Sequence, residues 1–163
     1  MTYGVVLGIL FLHLGFMLSI MAYWLAAEAL APAAVAFGRE RLRARPVRTL
    51  LLGGAIGVPL LAGGFALTKA PIPGAAMIGG GVLLGLLLVA LLGSAGLARL
   101  VGEGLPARDA APGWRSVLRG GGVVLLTFAM PLLGWFILLP LALASGVGAM
   151  AAYLKSPRAE AAA

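Results

Sequence analysis

Hydrophobic residues fall along the chain in long unbroken runs, and charged residues are confined to the gaps between them. Gly4 to Ala27 carries no formal charge. At ~1.5 Å of helical rise per residue, such a run crosses a hydrocarbon layer of ~30 Å. Leu50 to Leu67 forms a second run, ended by "TKAPIPG" (Thr68–Gly74), whose two prolines and glycine are turn chemistry. Gly74 to Ala98 forms a third. A polar stretch from Arg99 to Ser116 follows, then a long apolar stretch to Leu154, then "KSPRAEAAA", a tail expected to be disordered. The first run has a rival reading as a secretory signal peptide, because Ala29-Leu30-Ala31 offers small residues for cleavage. Its leading residues contain no Lys or Arg, the run is too long, and Pro32 would stand directly after the cut, so a membrane helix is expected instead.

The last apolar stretch is too long to cross once. As one helix, Val117 to Leu154 would reach ~57 Å, nearly twice the hydrocarbon thickness. A hairpin is therefore predicted. Its turn is expected at "PLLGW" (Pro131–Trp135), where Pro131 removes a backbone donor, Gly134 permits a reversal and Trp135 suits an interface. Phe136–Pro140 remains open as a second turn site. The first arm, Val117 to Met130, reaches only ~21 Å. It requires snorkelling by Arg119, a thinned bilayer or a re-entrant path. The expected fold is an all-α integral membrane helical bundle, one N-terminal helix plus two helical hairpins. Its segments are an N-terminal transmembrane helix over 1–37, a basic cytoplasmic loop over 38–47, a first hairpin over 48–101, a cytoplasmic loop over 102–114, a second hairpin over 115–154 and a tail over 155–163.

Charge fixes the expected orientation. Arg39, Arg41, Arg43, Arg45 and Arg48 lie between the first two runs; Arg99, Arg108, Arg115 and Arg119 lie between the third run and the long apolar stretch that begins at Gly120; Lys155 and Arg158 follow it. Only Lys69 lies in the remaining turn. With two hairpins, the positive-inside rule is met with that single exception, which predicts an external N-terminus and a cytoplasmic C-terminus. A duplicated hairpin is one reading of the sequence, with chance matches in a chain built from Ala, Gly and Leu as the other. Shifted by 67 positions, "RTLLLGG" (Arg48–Gly54) lies over "RSVLRGG" (Arg115–Gly121), and Pro73, Ala75, Gly79 and Gly81 meet Pro140, Ala142, Gly146 and Gly148.

Composition narrows the function. The 163 residues are 62% hydrophobic and only 10% charged, against roughly 25% charged in an ordinary soluble domain. There is no Cys, no Asn and no Gln, and Asp109 is the only Asp. Disulfides and thiolate metal sites are excluded. A pore or transport path has little polar lining to draw on, and the parallel repeat differs from the inverted repeats that flank many transport sites. The net charge of +7 is explained by membrane topology, so no nucleic acid is expected. Arg outnumbers Lys ten to two in a chain rich in Ala and Gly, as in a GC-rich bacterial genome, and the bacterial inner membrane is the expected location. One membrane His, one Asp and scattered serines build no catalytic constellation. "LRGGGVV" (Leu118–Val124) lacks the Lys-Ser/Thr of a phosphate loop.

Two faces of the first helix stand out at 100° per residue. Gly4, Gly8, Gly15, Ser19, Ala22 and Ala26 form a narrow stripe of small residues, expected to dock the helix on the rest of the chain, with a homo-oligomer contact as the alternative. His13, Met17 and Trp24 lie opposite, with Glu28 at the edge. They are the candidate surface for a partner subunit or a cofactor, haem or chlorophyll at the His13 imidazole, against the plain alternative of a structural histidine. Glu28 is expected to snorkel or to pair with an arginine of Arg39–Arg45. Arg39, Arg41, Arg43 and Arg45 are the candidate contacts for anionic lipid head groups.

From Trp114 to Leu154, the chain combines an Arg-Ser entry, a glycine run, Pro131 with Gly134-Trp135, and a Gly146-x-Gly148 exit. This quarter of the chain resembles the membrane hairpins attached to some bacterial polymer-forming (bactofilin-like) proteins. The β-helical polymerising domain of that family has no counterpart here, since no strand-rich segment lies between the runs. What the resemblance implies is a non-catalytic membrane anchor or scaffold. An accessory subunit of a redox or light-harvesting complex, and a small transporter or channel, are the alternatives.

Overall fold

The computed structural model describes residues 2–106, 113–130 and 132–156. Among them the fold is all-α: α1 (Thr2–Leu30), α2 (Pro32–Ala44), α3 (Pro46–Lys69), α4 (Ala75–Gly104), α5 (Gly113–Phe128) and α6 (Leu139–Leu154). Four helical stretches are long and apolar enough to cross a membrane: Tyr3–Leu30, Pro46–Lys69, Ala75–Gly104 and Gly134–Leu154. The chain is thus a membrane helical bundle, with α1 leading and the α3–α4 and α5–α6 hairpins following.

Proline and glycine place the breaks. Pro32 and Pro46 occupy the first turns of α2 and α3, where a missing N–H costs nothing. Gly74 turns the chain into α4 with φ of 83°, a left-handed conformation that only glycine adopts without strain. The segment 38–47, expected as a loop, is largely helix instead: α2 runs to Ala44 and buries Ala34, Val35, Gly38 and Leu42 along one face, against α4 and α6. The four-residue rhythm of those small and apolar positions is what the run of arginines hid.

The second hairpin turns near the first of the two expected sites. α5 ends at Phe128, the chain bends through Ala129, Met130 and Leu132, and Gly134–Leu138 is already a π-helical turn leading into α6. Pro131 itself lies outside the described residues. Phe136–Pro140 is helical, not a turn. The wider coil has a cause: Pro140 cannot donate, and its ring would clash with the carbonyl four residues back. Accordingly the Leu139 N–H bonds to the Gly134 carbonyl, five residues earlier. α5 has only 16 residues, about 24 Å, and is shorter than any of the four apolar stretches, of which Gly134–Leu154 is the shortest with 21. The expected loop 102–114 is reduced, because α4 continues to Gly104 and α5 starts at Gly113; its middle and the end of the tail lie outside the described residues.

Among the described residues, helix backbones meet closely at several crossings, and three of them are made by glycines facing a backbone carbonyl of α4 or α6 or a residue beside it. Gly53 and Thr49 of α3 lie on Ala144 and Gly148 of α6; Gly120 and Ser116 of α5 lie on Ala98 and Gly102 of α4; Gly93 of α4 lies on Gly146 of α6. A Cβ added at any of these glycines would land on a backbone carbonyl of the neighbouring helix or the atoms beside it. Lipid supplies no hydrophobic force between helices, so such close contact is how they hold together. The apolar core proper lies among α1, α4, α5 and α6 around Trp24, Ala95, Ala98, Val117, Phe128 and Ala142.

Candidate functional site

α1 docks by the face opposite to the one expected. Gly4, Gly8, Gly15, Ser19, Ala22 and Ala26 are all exposed, and a Cβ at Gly4, Gly8 or Gly15 would meet nothing within 4 Å. Instead Met17, Ile20, Trp24 and Ala27 pack on the core. The physical reason is volume: α4 and α5 already present small residues here, so the large side chains of α1 fill the space between them. Trp24 is 1% exposed. Its indole N–H donates to the Ser94 hydroxyl at 2.9 Å, and that hydroxyl donates to the Leu91 carbonyl at 3.0 Å. Gly121 of α5 leaves room for the ring: a Cβ there would stand 3.0 Å from it.

His13 is half-buried, and its ring stacks on Trp135 with centroids 5.8 Å apart at 29°. Phe16 stacks on the same indole at 6.2 Å. The surface expected for a partner or cofactor is therefore occupied within the chain: Trp24 and Met17 by the core, His13 by the π-helical turn. Among the described residues, no three His, Asp or Glu side chains converge.

One turn beyond Trp24 the chemistry changes. Glu28 is 9% exposed and accepts a hydrogen bond from Arg99 Nη1 at 2.9 Å. Arg99 also reaches Glu103 one turn along α4, Nε to Oε1 at 3.2 Å, and Glu103 pairs in turn with Arg39 of α2 at 2.9 Å. Gly113, the first residue of α5, lies directly on the Glu28–Arg99 pair. Two carboxylates and two guanidinium groups thus alternate across α1, α4 and α2 beneath the start of α5. The second Glu28 oxygen and Arg41 Nε are buried without a hydrogen-bond partner among the described residues. The sequence leaves Glu28 to snorkel or to pair within Arg39–Arg45 and puts Arg99 at the start of a polar stretch, whereas the structure pairs the two. The usable signal was Arg99 followed four residues later by Glu103, the spacing of a helical ion pair, which extends α4 to the network.

Of the arginines assigned to lipid, Arg39 is taken by Glu103, Arg41 is half-buried, and Arg43 and Arg45 are exposed. What the arrangement can do is hold four helices in register at one end of the bundle; it contains no nucleophile with a base. Comparison with protein-family models, with curated proteins and with solved structures gives no match.

Proposed function

We propose that the chain is a non-catalytic scaffold or anchor subunit of a bacterial inner membrane, working through helix packing with partner membrane proteins. The observation that carries this reading is the N-terminal part of α1. From Tyr3 to Leu12 every residue is exposed on every side of the helix, whereas the following two turns are held by Trp135 and the core. Gly4, Gly8, Gly15 and Ser19 run along this segment and beyond it, and small residues allow another helix to approach closely. The resemblance of Trp114–Leu154 to membrane hairpins of polymer-forming proteins points to the same kind of role. The N-terminus is external in this proposal and the C-terminus cytoplasmic, in keeping with the distribution of arginines.

The test is to block the stripe without touching the fold. Gly8→Leu with Gly15→Leu introduces side chains into open space, so the monomer is expected to insert and to keep its melting temperature. Assembly in mild detergent, read by light scattering and by the proteins that copurify, is expected to be lost. A native chain that runs as a bare monomer, or a doubly substituted chain that assembles unchanged, removes the proposal.

A further inference from the structure

We infer that the chain holds one anionic phospholipid, with an acyl chain in a groove between α3, α4 and α6 and its phosphate at the arginines that begin α3. The inference stands on the membrane bundle alone and does not rest on the scaffold reading. The groove has a volume of about 320 Å³. Gly54 and Gly57 of α3, Leu83 and Ala90 of α4, and Leu143 and Val147 of α6 form its walls, and every other lining side chain is apolar too.

Its origin is the pattern of close contacts. α3 is clamped to α6 at Gly53 and to α4 at Gly64, where Gly79 and Leu83 press against it. Between the clamps, Gly54 and Gly57 present no side chain to fill the space: a Cβ at Gly54 would meet nothing within 4 Å, and one at Gly57 only Val147 at 3.9 Å. A gap between fixed helices loses contacts unless something fills it. In a bilayer the filling at hand is a lipid chain. A polar solute would give up its hydrogen bonds on entering, because no polar side chain lines the wall.

Charge selects the head group. The basal end of the groove, at Gly53, lies five residues above Arg48, about 7.5 Å along the helix. Arg43, Arg45 and Arg48 are exposed and pair with no described acid. On the facing helix, Gly148 lies against Thr49, and Lys155 follows seven residues further down, about 10 Å. The groove thus ends one to two helical turns above a rim rich in cationic side chains, the level of the phosphate of a lipid whose chain lies in it. Such rims attract anionic lipids.

Native mass spectrometry of the purified chain, titrated with phosphatidylglycerol and with phosphatidylcholine, tests the inference. One phosphatidylglycerol is expected to be retained per chain in preference to phosphatidylcholine. Gly54→Leu fills the groove and is expected to abolish retention of both lipids; Gly57→Ala, a smaller intrusion, is expected to weaken it. Gly80→Leu, equally open but outside the groove, is expected to change nothing. Arg45→Gln and Arg48→Gln are each expected to lower the preference for phosphatidylglycerol about fivefold while sparing phosphatidylcholine. Equal retention by the native, Gly54→Leu and Gly57→Ala chains overturns the groove. Equal affinity of the native chain for the two lipids overturns the rim, and displacement by soluble glycerol phosphate as effective as by lipid shows a phosphate site without a chain.

Discussion

Trp24 and Glu28 sit one turn apart on α1, and each reaches α4 by a polar bond, to Ser94 and to Arg99. Apolar packing alone would let α1 slide or rotate against a surface of alanines and leucines; two polar bonds of fixed geometry remove that freedom. Their costs of disruption differ. Losing the Ser94 hydroxyl strands the buried Trp24 N–H and costs about 1–3 kcal/mol, whereas removing one partner of a buried ion pair strands a charge and costs about 3–5 kcal/mol. Arg99→Gln is therefore expected to destabilise the bundle more than Ser94→Ala in thermal unfolding in detergent. Glu28→Gln combined with Arg99→Gln is expected to recover part of the loss, because no charge is then left without a partner. A double variant as unstable as the sum of the singles would show that the pair is not coupled. At this scale the sequence was only half legible. Trp24 and Glu28 stand out as unusual residues for an apolar helix, but their partners lie some seventy positions away; nothing local distinguishes Ser94, and Arg99 is marked only by its four-residue spacing to Glu103.

Among elements, contact is made by glycine. At the 67-residue shift Thr49 and Gly53 fall on Ser116 and Gly120, and both pairs make a close helix crossing. The partners do not correspond. α3 uses Ala144 and Gly148 of α6, while α5 uses Ala98 and Gly102 of α4. The first helix of each hairpin thus carries a Thr/Ser-x-x-x-Gly face, set against an Ala-x-x-x-Gly face on whichever neighbour the bundle provides. The positions of the long helices were legible, because hydropathy and proline report directly on span and break. The docking face of α1 was not. A stripe of small residues suits close packing and also suits exposure to lipid or to another chain, and only the shape of α4 and α5 decides between them. The crossings lend themselves to a paired test. Gly120→Ala drives a methyl into the backbone of α4 and is expected to destabilise by about 1–3 kcal/mol, as overpacking does. Gly122→Ala points a methyl into open space two residues away and is expected to be neutral or stabilising by about 0.5–1 kcal/mol, through backbone entropy. Equal effects in thermal unfolding would mean that α4 and α5 are not in such close contact.

Across the whole molecule, the ion network defines one end of the bundle. Glu28, Arg39, Arg99 and Glu103 meet there, Gly113 opens α5 on top of them, and Tyr153 near the end of α6 packs edge-on against Phe37 of α2. Both ends of the second hairpin therefore lie at the same end of the bundle, whether or not its turn passes through the opposite face of the bilayer. How far the turn reaches follows from length. If charged groups mark the basal interface, α5 rises about 24 Å from it, short of a ~30 Å hydrocarbon core. The 24 residues of α3 reach about 36 Å, enough to bring the α3–α4 turn into the opposite head-group layer. The two turns are then at different depths. Because the native chain has no cysteine, single introduced thiols read depth directly. Gly134, packed against Thr127 and Phe128, would be a disruptive position, whereas Leu132 and Ile72 are exposed in their turns. In sealed, oriented vesicles, Ile72→Cys is expected to react quickly with a membrane-impermeant maleimide added from the side opposite the ion network. Leu132→Cys is expected to react from that side only slowly, at a rate that rises once detergent opens the bilayer. Equal rates at the two positions would place both turns in the head groups, and α5 would then have to cross by thinning the bilayer around it.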